Sequence, residues 1–330
     1  MNNFNDLLSL FKDRRVLYIT TKNLDYIRVT QEINILRECA KCVTVIGSIS
    51  NSYPVRLLHV YKALISLSLE AIDVVFVGFS PQLVLPFFGA KLHKRPMVID
   101  CFISVYDTMV MDRQKFRDGG IISGFCHRLD AYALAGADYV VCDTMAHGNY
   151  FSDEFDISPD KMYVLYLQAD TDIYNPALYD SSSNDHDNNV HRVLYFGSIL
   201  NLQGVDIILN AIGQFSDRDD YRFEIIGPVS ERMNRPDSYN ITYIPWLSQS
   251  ELAAHIAGAD LCLAGHFAGD IMKARRTIPG KAYIYEAMGK PMILGDGEAN
   301  HELFTEDGRH IFVPMGDADA LAAGIKSYFE

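Results

Sequence analysis

Positive charge is what this sequence has too little of: 29 lysines and arginines stand against 42 aspartates and glutamates, a net charge of −13. Duplex binding needs a basic footprint that displaces condensed counterions, so a nucleic-acid partner is excluded and any polyanion must be met by a local cluster. Cysteine is scarce too, with six in 330 residues, spaced singly except for Cys39 and Cys42. A redox dithiol of the thioredoxin type opens a helix after a strand, whereas this pair sits where a helix ends before a strand over 43–46. The remaining thiols read as buried groups of a reducing compartment. The ten histidines, among them His147, His266 and His301 near loops, show no metal-ligand spacing, so no metal and no cofactor is expected. Long apolar runs are missing as well. The nearest, residues 74–90, is interrupted by Gly78, Ser80, Pro81, Gln82 and Pro86 and reads as a buried strand and a short helix. Met1-Asn2-Asn3-Phe4 lacks the basic start of a secretory leader, so the expectation is a cytoplasmic protein.

What is present is alternation. The length suits about two domains of ordinary size. Apolar runs predict strands over 16–19, 43–46, 74–77, 97–99, 139–141 and 162–167, with helices over 27–39, 57–69, 83–92 and up to 135 between them. Asp143 is placed to cap the helix after the fifth of these strands. Residues 181–189 read SSSNDHDNN, polar and aperiodic, so the boundary falls there: a first domain over 1–180, a hinge at about 168–190 and a second domain over 191–330. The second half alternates again, with strands over 193–196, 223–226, 241–243, 261–263, 292–294 and 310–313. Ser248 and Glu251 form a capping box, and Asp317 opens the last helix. The pattern predicts an α/β fold of two doubly wound parallel sheets, with a ligand cleft between the domains at the strand carboxyl ends.

The stretch 269–316 carries the chemistry. Arg275, Arg276 and Lys281 bracket Pro279-Gly280, and a helix over 281–288 would start there with its positive end beside the cations. That is a place to hold a phosphate. Two other patterns allow alternatives. Phe4, Leu7, Leu8 and Phe11, followed by Lys12, Arg14 and Arg15, fit a membrane-surface helix or one docked on the body. Phe87, Phe88, Lys91, Lys94 and Arg95 suit contact with a membrane surface or a core-facing helix with a basic rim. Asp170-Thr171-Asp172 resembles a metal-binding D-x-D, but beside Asn175-Pro176 it reads as a turn.

The second half resembles the donor domain of the retaining, family 4 type glycosyltransferases with the GT-B fold, two Rossmann-like domains facing each other across a cleft. The likeness is ordered: FGSILNLQGVDIILNAI, YRFEIIG, PWLSQSELAAHIAGADLCL, and then the run from Ile278 that begins IPGKAYIYEAMGKPMIL follow the family's segments in turn. In the first half GADYVVCDT and LQADTDIYNP are similar to its last strand and hinge. The resemblance implies transfer of a sugar from a nucleoside-diphosphate donor to a glycan or lipid-linked acceptor, as in polysaccharide biosynthesis, with retained anomeric configuration and no obligatory metal. It implies peripheral contact with the inner face of a membrane as an option. Gly197 and Ser198 correspond to the family's glycine turn; Lys273, Arg276, Gly280 and Lys281 would meet the diphosphate; Glu286 would accept from the ribose hydroxyls. Asp100, Ser104 and Asp107, on the loop where the family's catalytic-side histidine lies, would position the acceptor hydroxyl, or else serve as a cap and a turn. The first glutamate of the family's pair falls at Ile278, and its Arg and Lys at Ser198 and Gln203. Those substitutions support the alternative of a catalytically silent GT-B partner protein. The family's final crossover helix is not matched before Glu330, which implies a short form or a piece of a longer chain.

Overall fold

The computed structural model describes residues 1–179, 189–230 and 233–330, so residues 181–188 of the expected linker lie outside the described residues. The chain divides into two compact units, Met1–Gln168 and Ala169–Glu330.

The first unit runs β1 (Asn2–Asn3), α1 (Phe4–Phe11), β2 (Arg15–Asn23), α2 (Ile27–Cys39), β3 (Cys42–Ser48), α3 (Tyr53–Ser66), β4 (Val74–Gly78), α4 (Leu85–Leu92) and β5 (Met97–Asp100). It continues with α5 (Ile121–Ala135), β6 (Tyr139–Cys142), α6 (Met145–Phe155) and β7 (Met162–Val164). Its strands lie in the order β1-β7-β6-β5-β4-β2-β3, and neighbours pair in parallel. Side chains alternate across the strands, which accounts for two cores. Leu17, Ile19, Val75 and Val77 pack with Val60 and Leu64 of α3, Leu85 of α4 and Leu134 of α5. Val16, Tyr18, Val74 and Phe76 pack with Phe4, Leu7 and Phe11 of α1 and Val29, Ile33 and Leu36 of α2. The first helix is thus docked by its apolar stripe. Asn3 caps it in a capping box with Asp6.

The second unit runs β8 (His191–Phe196), α7 (Val205–Gly213), β9 (Tyr221–Ile226), β10 (Ile241–Ile244), α8 (Gln249–Gly258), β11 (Leu261–Leu263), α9 (Met272–Arg276), α10 (Gly280–Ala287), β12 (Met292–Gly295), β13 (His310–Val313) and α11 (Ala318–Phe329). Its strand order is β10-β9-β8-β11-β12-β13, again parallel throughout. In both sheets the chain winds outward on one side and then returns to the other. The reversal falls between β2 and β4 in the first unit and between β8 and β11 in the second. Loops diverge at such a switch point and leave a crevice at the strand carboxyl ends, the general ligand position of open α/β sheets.

Several local expectations need correction. Thr144, not Asp143, caps α6, accepting from the His147 N–H, while Asp143 turns inward to the His147 ring at 2.6 Å. Pro279 precedes the helix as the N-cap of α10 (ψ 130°), with Gly280 its first residue. The helix expected over 57–69 starts earlier, at Tyr53, because Pro54 suits the first turn, where its missing N–H costs nothing. The strand expected to Leu167 ends at Val164, where β7 runs out of neighbours to pair with.

Candidate functional site

The switch point of the second unit is lined by glycine. Gly197 (φ 151°) follows β8 and Gly265 (φ 84°) follows β11, both in backbone conformations that side chains rarely adopt. Between them lies the Lys281 ammonium. A Cβ at Gly197 would stand 3.3 Å from Lys281 Nζ, and one at Gly265 would stand 2.9 Å from it and collide with Gln203 Oε1. Lys281 Nζ donates to Gln203 Oε1 and sits 4.9 Å from the centre of the Tyr195 ring. Among the described residues no carboxylate lies within ion-pair distance of it. Burial without a counter-charge disfavours the charged form and lowers the Lys281 pKa to about 7. A buried lysine held by one amide oxygen and one ring face, packed against two glycines, is a site short of an anion.

The loop after β11 braces this crevice. His266 adopts φ 59°, is buried, and donates its Nδ1–H to the Thr277 carbonyl at 2.9 Å. Thr277 in turn donates its hydroxyl to the Lys273 carbonyl. The hairpin from β11 to α10 is thereby fixed, which delivers the α10 N-terminus and Lys281 to the crevice. Arg276 is buried and Lys273 half-buried on α9, whose Ala274 packs with Leu202, Ala268 and Ile271. Gly280 and Ser198 are exposed at the starts of α10 and of the loop after β8.

Glu286, expected to meet the ribose, faces another side of α10 from Lys281. Five residues at 100° each place it about 140° round the helix from Lys281 and more than a turn further along. It accepts from Arg309 Nη2 at 3.1 Å and pairs with His310 Nε2 at 2.8 Å, at the amino end of β13, the opposite edge of the sheet.

The carboxyl edge of the first unit's sheet is built differently. Arg28, on the inner face of α2, is fully buried and meets Asp100 through Nε (3.2 Å) and Nη2 (3.1 Å); it also pairs with Glu32 at 3.3 Å and donates Nη1–H to the Leu165 carbonyl. Tyr18 donates its hydroxyl to Glu32 at 2.5 Å. Burial, with the Asp100 charge beside it, raises the Glu32 pKa well above the usual carboxylate range. Asp100 is therefore closed off in an ion pair rather than presented to a ligand. Ser104 donates to Asp130 (2.8 Å) and accepts from the Asp107 N–H (2.9 Å), and Asp130 also accepts from the N–H groups of Val105 and Tyr106. All three expected catalytic groups are fully buried. Asp100 and Ser104 act as scaffold here, and Asp107 opens a six-residue π-helical turn.

Above this network stand residues that pattern reading passed over. Phe79 at the end of β4 holds φ 66° in a tight turn closed by the Ser80 N–H on the Gly78 carbonyl, an uncommon state for a bulky residue. It packs against Tyr26 (5.2 Å) and Phe102 (5.9 Å), and Lys22 Nζ lies 4.4 Å and 4.7 Å from the Tyr26 and Phe79 ring centres. Burial, with Arg56 nearby, lowers the Lys22 pKa. Surface hollows also lie elsewhere, such as one of 540 Å³ lined by His93, Arg95 and Asp138 and one of 620 Å³ between β13 and α11. Among the described residues no group of three His, Cys, Asp or Glu side chains could hold a metal ion.

Comparison with known proteins gives this geometry a context. Residues 190–330 match the family model described as Glycosyl transferases group 1. No curated protein matches the chain. Among solved structures, a sucrose-phosphate synthase from Thermosynechococcus elongatus superposes with a TM-score of 0.68 at 12% identity, covering 96% of this chain and 90% of that one. Anabaena HepE in complex with UDP and glucose gives 0.65 at 13% identity, again over 96% and 90%. A UDP-forming α,α-trehalose-phosphate synthase from Burkholderia xenovorans gives 0.62 at 11%, over 96% and 91%. The fold is thus the GT-B arrangement of two Rossmann-like domains in series.

Proposed function

We propose that this protein is a retaining glycosyltransferase that moves a sugar from a nucleoside-diphosphate sugar to a glycan or glycolipid acceptor. The observation that carries the reading is Lys281, a buried cation without a counter-charge at the glycine-lined switch point of the second unit. The family match over that same unit and the UDP bound in a structure of the same fold support it. In sugar transfer the leaving diphosphate gains charge while the sugar becomes oxocarbenium-like, so a preorganised cation and a helix N-terminus aimed at the diphosphate favour the transition state over the ground state. Gly197 and Gly265 would let the backbone approach the phosphates, and the α10 N-terminus would face them. Lys273 and Arg276 are further candidates for the diphosphate. Acceptor recognition is assigned to the first unit, where Phe79, Tyr26 and Lys22 offer a ring surface and a cation above the Arg28–Asp100 scaffold. No obligatory metal enters this scheme, because protein cations are the charges proposed to neutralise the diphosphate.

A second reading, a catalytically silent protein of the same fold, is favoured by one contact. Gln203 occupies the position of a family lysine and spends its amide oxygen on Lys281. A thermal-shift panel of UDP, GDP, dTDP and CDP separates the two. One responding diphosphate, shifting the midpoint by several degrees at saturation, supports the transferase and names the donor class. Silence from all four, with the protein folded, overturns it in favour of the silent form.

A further inference from the structure

The chain carries net charge −13, yet three neighbouring helices of the first unit expose no carboxylate of their own; at their margin Glu154 pairs with His127 of α5 and Asp118 bonds Ser123 of α5. Residues 53–69 and 81–99, which contain α3 and α4, have no aspartate or glutamate at all. The single acid of α5, Asp130, is buried and bonded to Gln82 and Ser104. These three helices lie side by side on one face of the sheet. Tyr61 of α3 packs against Phe87 and Phe88 of α4, Lys91 of α4 donates to the Leu64 carbonyl of α3, and Gly89 of α4 abuts Tyr132 of α5.

Each helix buries one stripe and shows a second, apolar one to solvent. On α3 the inward stripe is Val60 and Leu64, while Val55, Leu58, Lys62 and Ile65 recur at the helical spacing on the outside. Leu58 is 70% exposed and Ile65 74%. On α4 the outer position is Phe87, 70% exposed, with Lys94 a turn or two beyond. On α5 it is Ile121 at 94% and Phe125 at 61%, with Arg128 between Phe125 and Tyr132. Isolated exposed apolar residues are ordinary, but a contiguous set across three neighbouring helices marks a surface that meets something. The interspersed cations and the lack of exposed carboxylates on these helices say what: an apolar layer beneath a negatively charged skin. No described helix is long and apolar enough to cross a membrane, so the contact is one of lying on the surface.

We infer that the α3–α4–α5 face docks on an anionic lipid bilayer, with Leu58, Ile65, Phe87, Ile121 and Phe125 entering the interface and Lys62 and Lys94 meeting lipid phosphates. The sequence pattern at Phe87, Phe88 and Lys91 is only part of this surface: Phe88 packs on the core, and α3 and α5 supply most of the apolar contact. The inference stands on exposure and charge, and its test does not depend on sugar transfer. Flotation of the full chain with vesicles of equal parts phosphatidylglycerol and phosphatidylcholine, against phosphatidylcholine alone, measures it directly. Binding to the mixed vesicles at least about tenfold tighter than to the neutral ones is expected, falling with added salt. Ile65→Glu with Phe87→Glu should abolish it, and Lys62→Glu with Lys94→Glu should weaken it about tenfold or more, with thermal midpoints and UDP response unchanged. No flotation with either vesicle, or equal binding to both, would overturn the inference. Concentration-dependent self-association removed by the same variants, without vesicle binding, would also overturn it and assign the face to a second copy of the chain.

Discussion

At the carboxyl ends of β5 and β7 the buried Arg28 is met by two carboxylates and a carbonyl; at those of β8 and β11 the buried Lys281 is met by one amide oxygen and a tyrosine ring. The carboxyl edges of two similar sheets hold one closed charge network and one open cation. Burying a charge costs several kcal/mol unless it is paired and hydrogen-bonded. The first unit meets that cost within the fold, so its network stiffens the crevice floor without inviting a ligand. The second leaves it unmet within the fold.

The largest effect expected from this contrast is on the closed side. Arg28→Leu strands Asp100 in the core and should destabilise the protein by about 3–5 kcal/mol. Thermal melts would show the drop, and Arg28→Leu with Asp100→Leu should recover part of it. A single variant that melts as the wild type does would erase the distinction between the two crevices.

Next comes the pH dependence of the open side. The folded Lys281 pKa, about 7, lies below the ordinary lysine value of 10.5, so between those values the unfolded chain holds a proton that the folded protein lacks. Stability therefore carries the full cost of the buried charge below pH 7 and rises as pH climbs through the window. Lys281→Met should remove that rise, which midpoints measured from pH 6 to 9 would resolve. A diphosphate that binds above pH 7 should draw a proton into the site. Calorimetry in buffers of different ionisation enthalpy detects the uptake.

The smallest effect belongs to Glu286. Its contact with Arg309 is exposed and its own carboxylate stays open to solvent beside the buried His310 ring, a setting where such pairs contribute about 1 kcal/mol or less. Glu286→Gln should melt nearly as the wild type and leave nucleotide affinity within twofold. A tenfold loss would return Glu286 to the site and break the assignment of the helix faces.

Much of the fold was readable because both sheets are parallel and covered on both faces, so strands such as β4 and β12 are unbroken apolar runs between glycine- and proline-rich turns. Lys281 was readable from its Pro-Gly turn. The contacts of Glu286 with Arg309 and His310 were not legible, because a motif match carries no information on which way a helix face turns. Arg28 and Glu32 were missed for the opposite reason: a charged pair at i, i+4 reads as a solvated helix face, and only the tertiary fold turns it inward. Their signal was present all the same, since they flank Val29 and Ile33 on the stripe that α2 must bury. Gln203 was read as a lost cation, whereas its contact to Lys281 across 78 residues arises only once the loop after β8 and the start of α10 meet.

The most direct test of the account is a calorimetric titration of UDP into the wild-type protein and into Lys281→Met, both at pH 6.5. Loss of a charge-assisted contact of about 1.5–3 kcal/mol predicts affinity falling by roughly ten- to a hundredfold with the fold intact. Equal affinities for the two proteins would contradict the placement of the nucleotide diphosphate at the second unit's switch point.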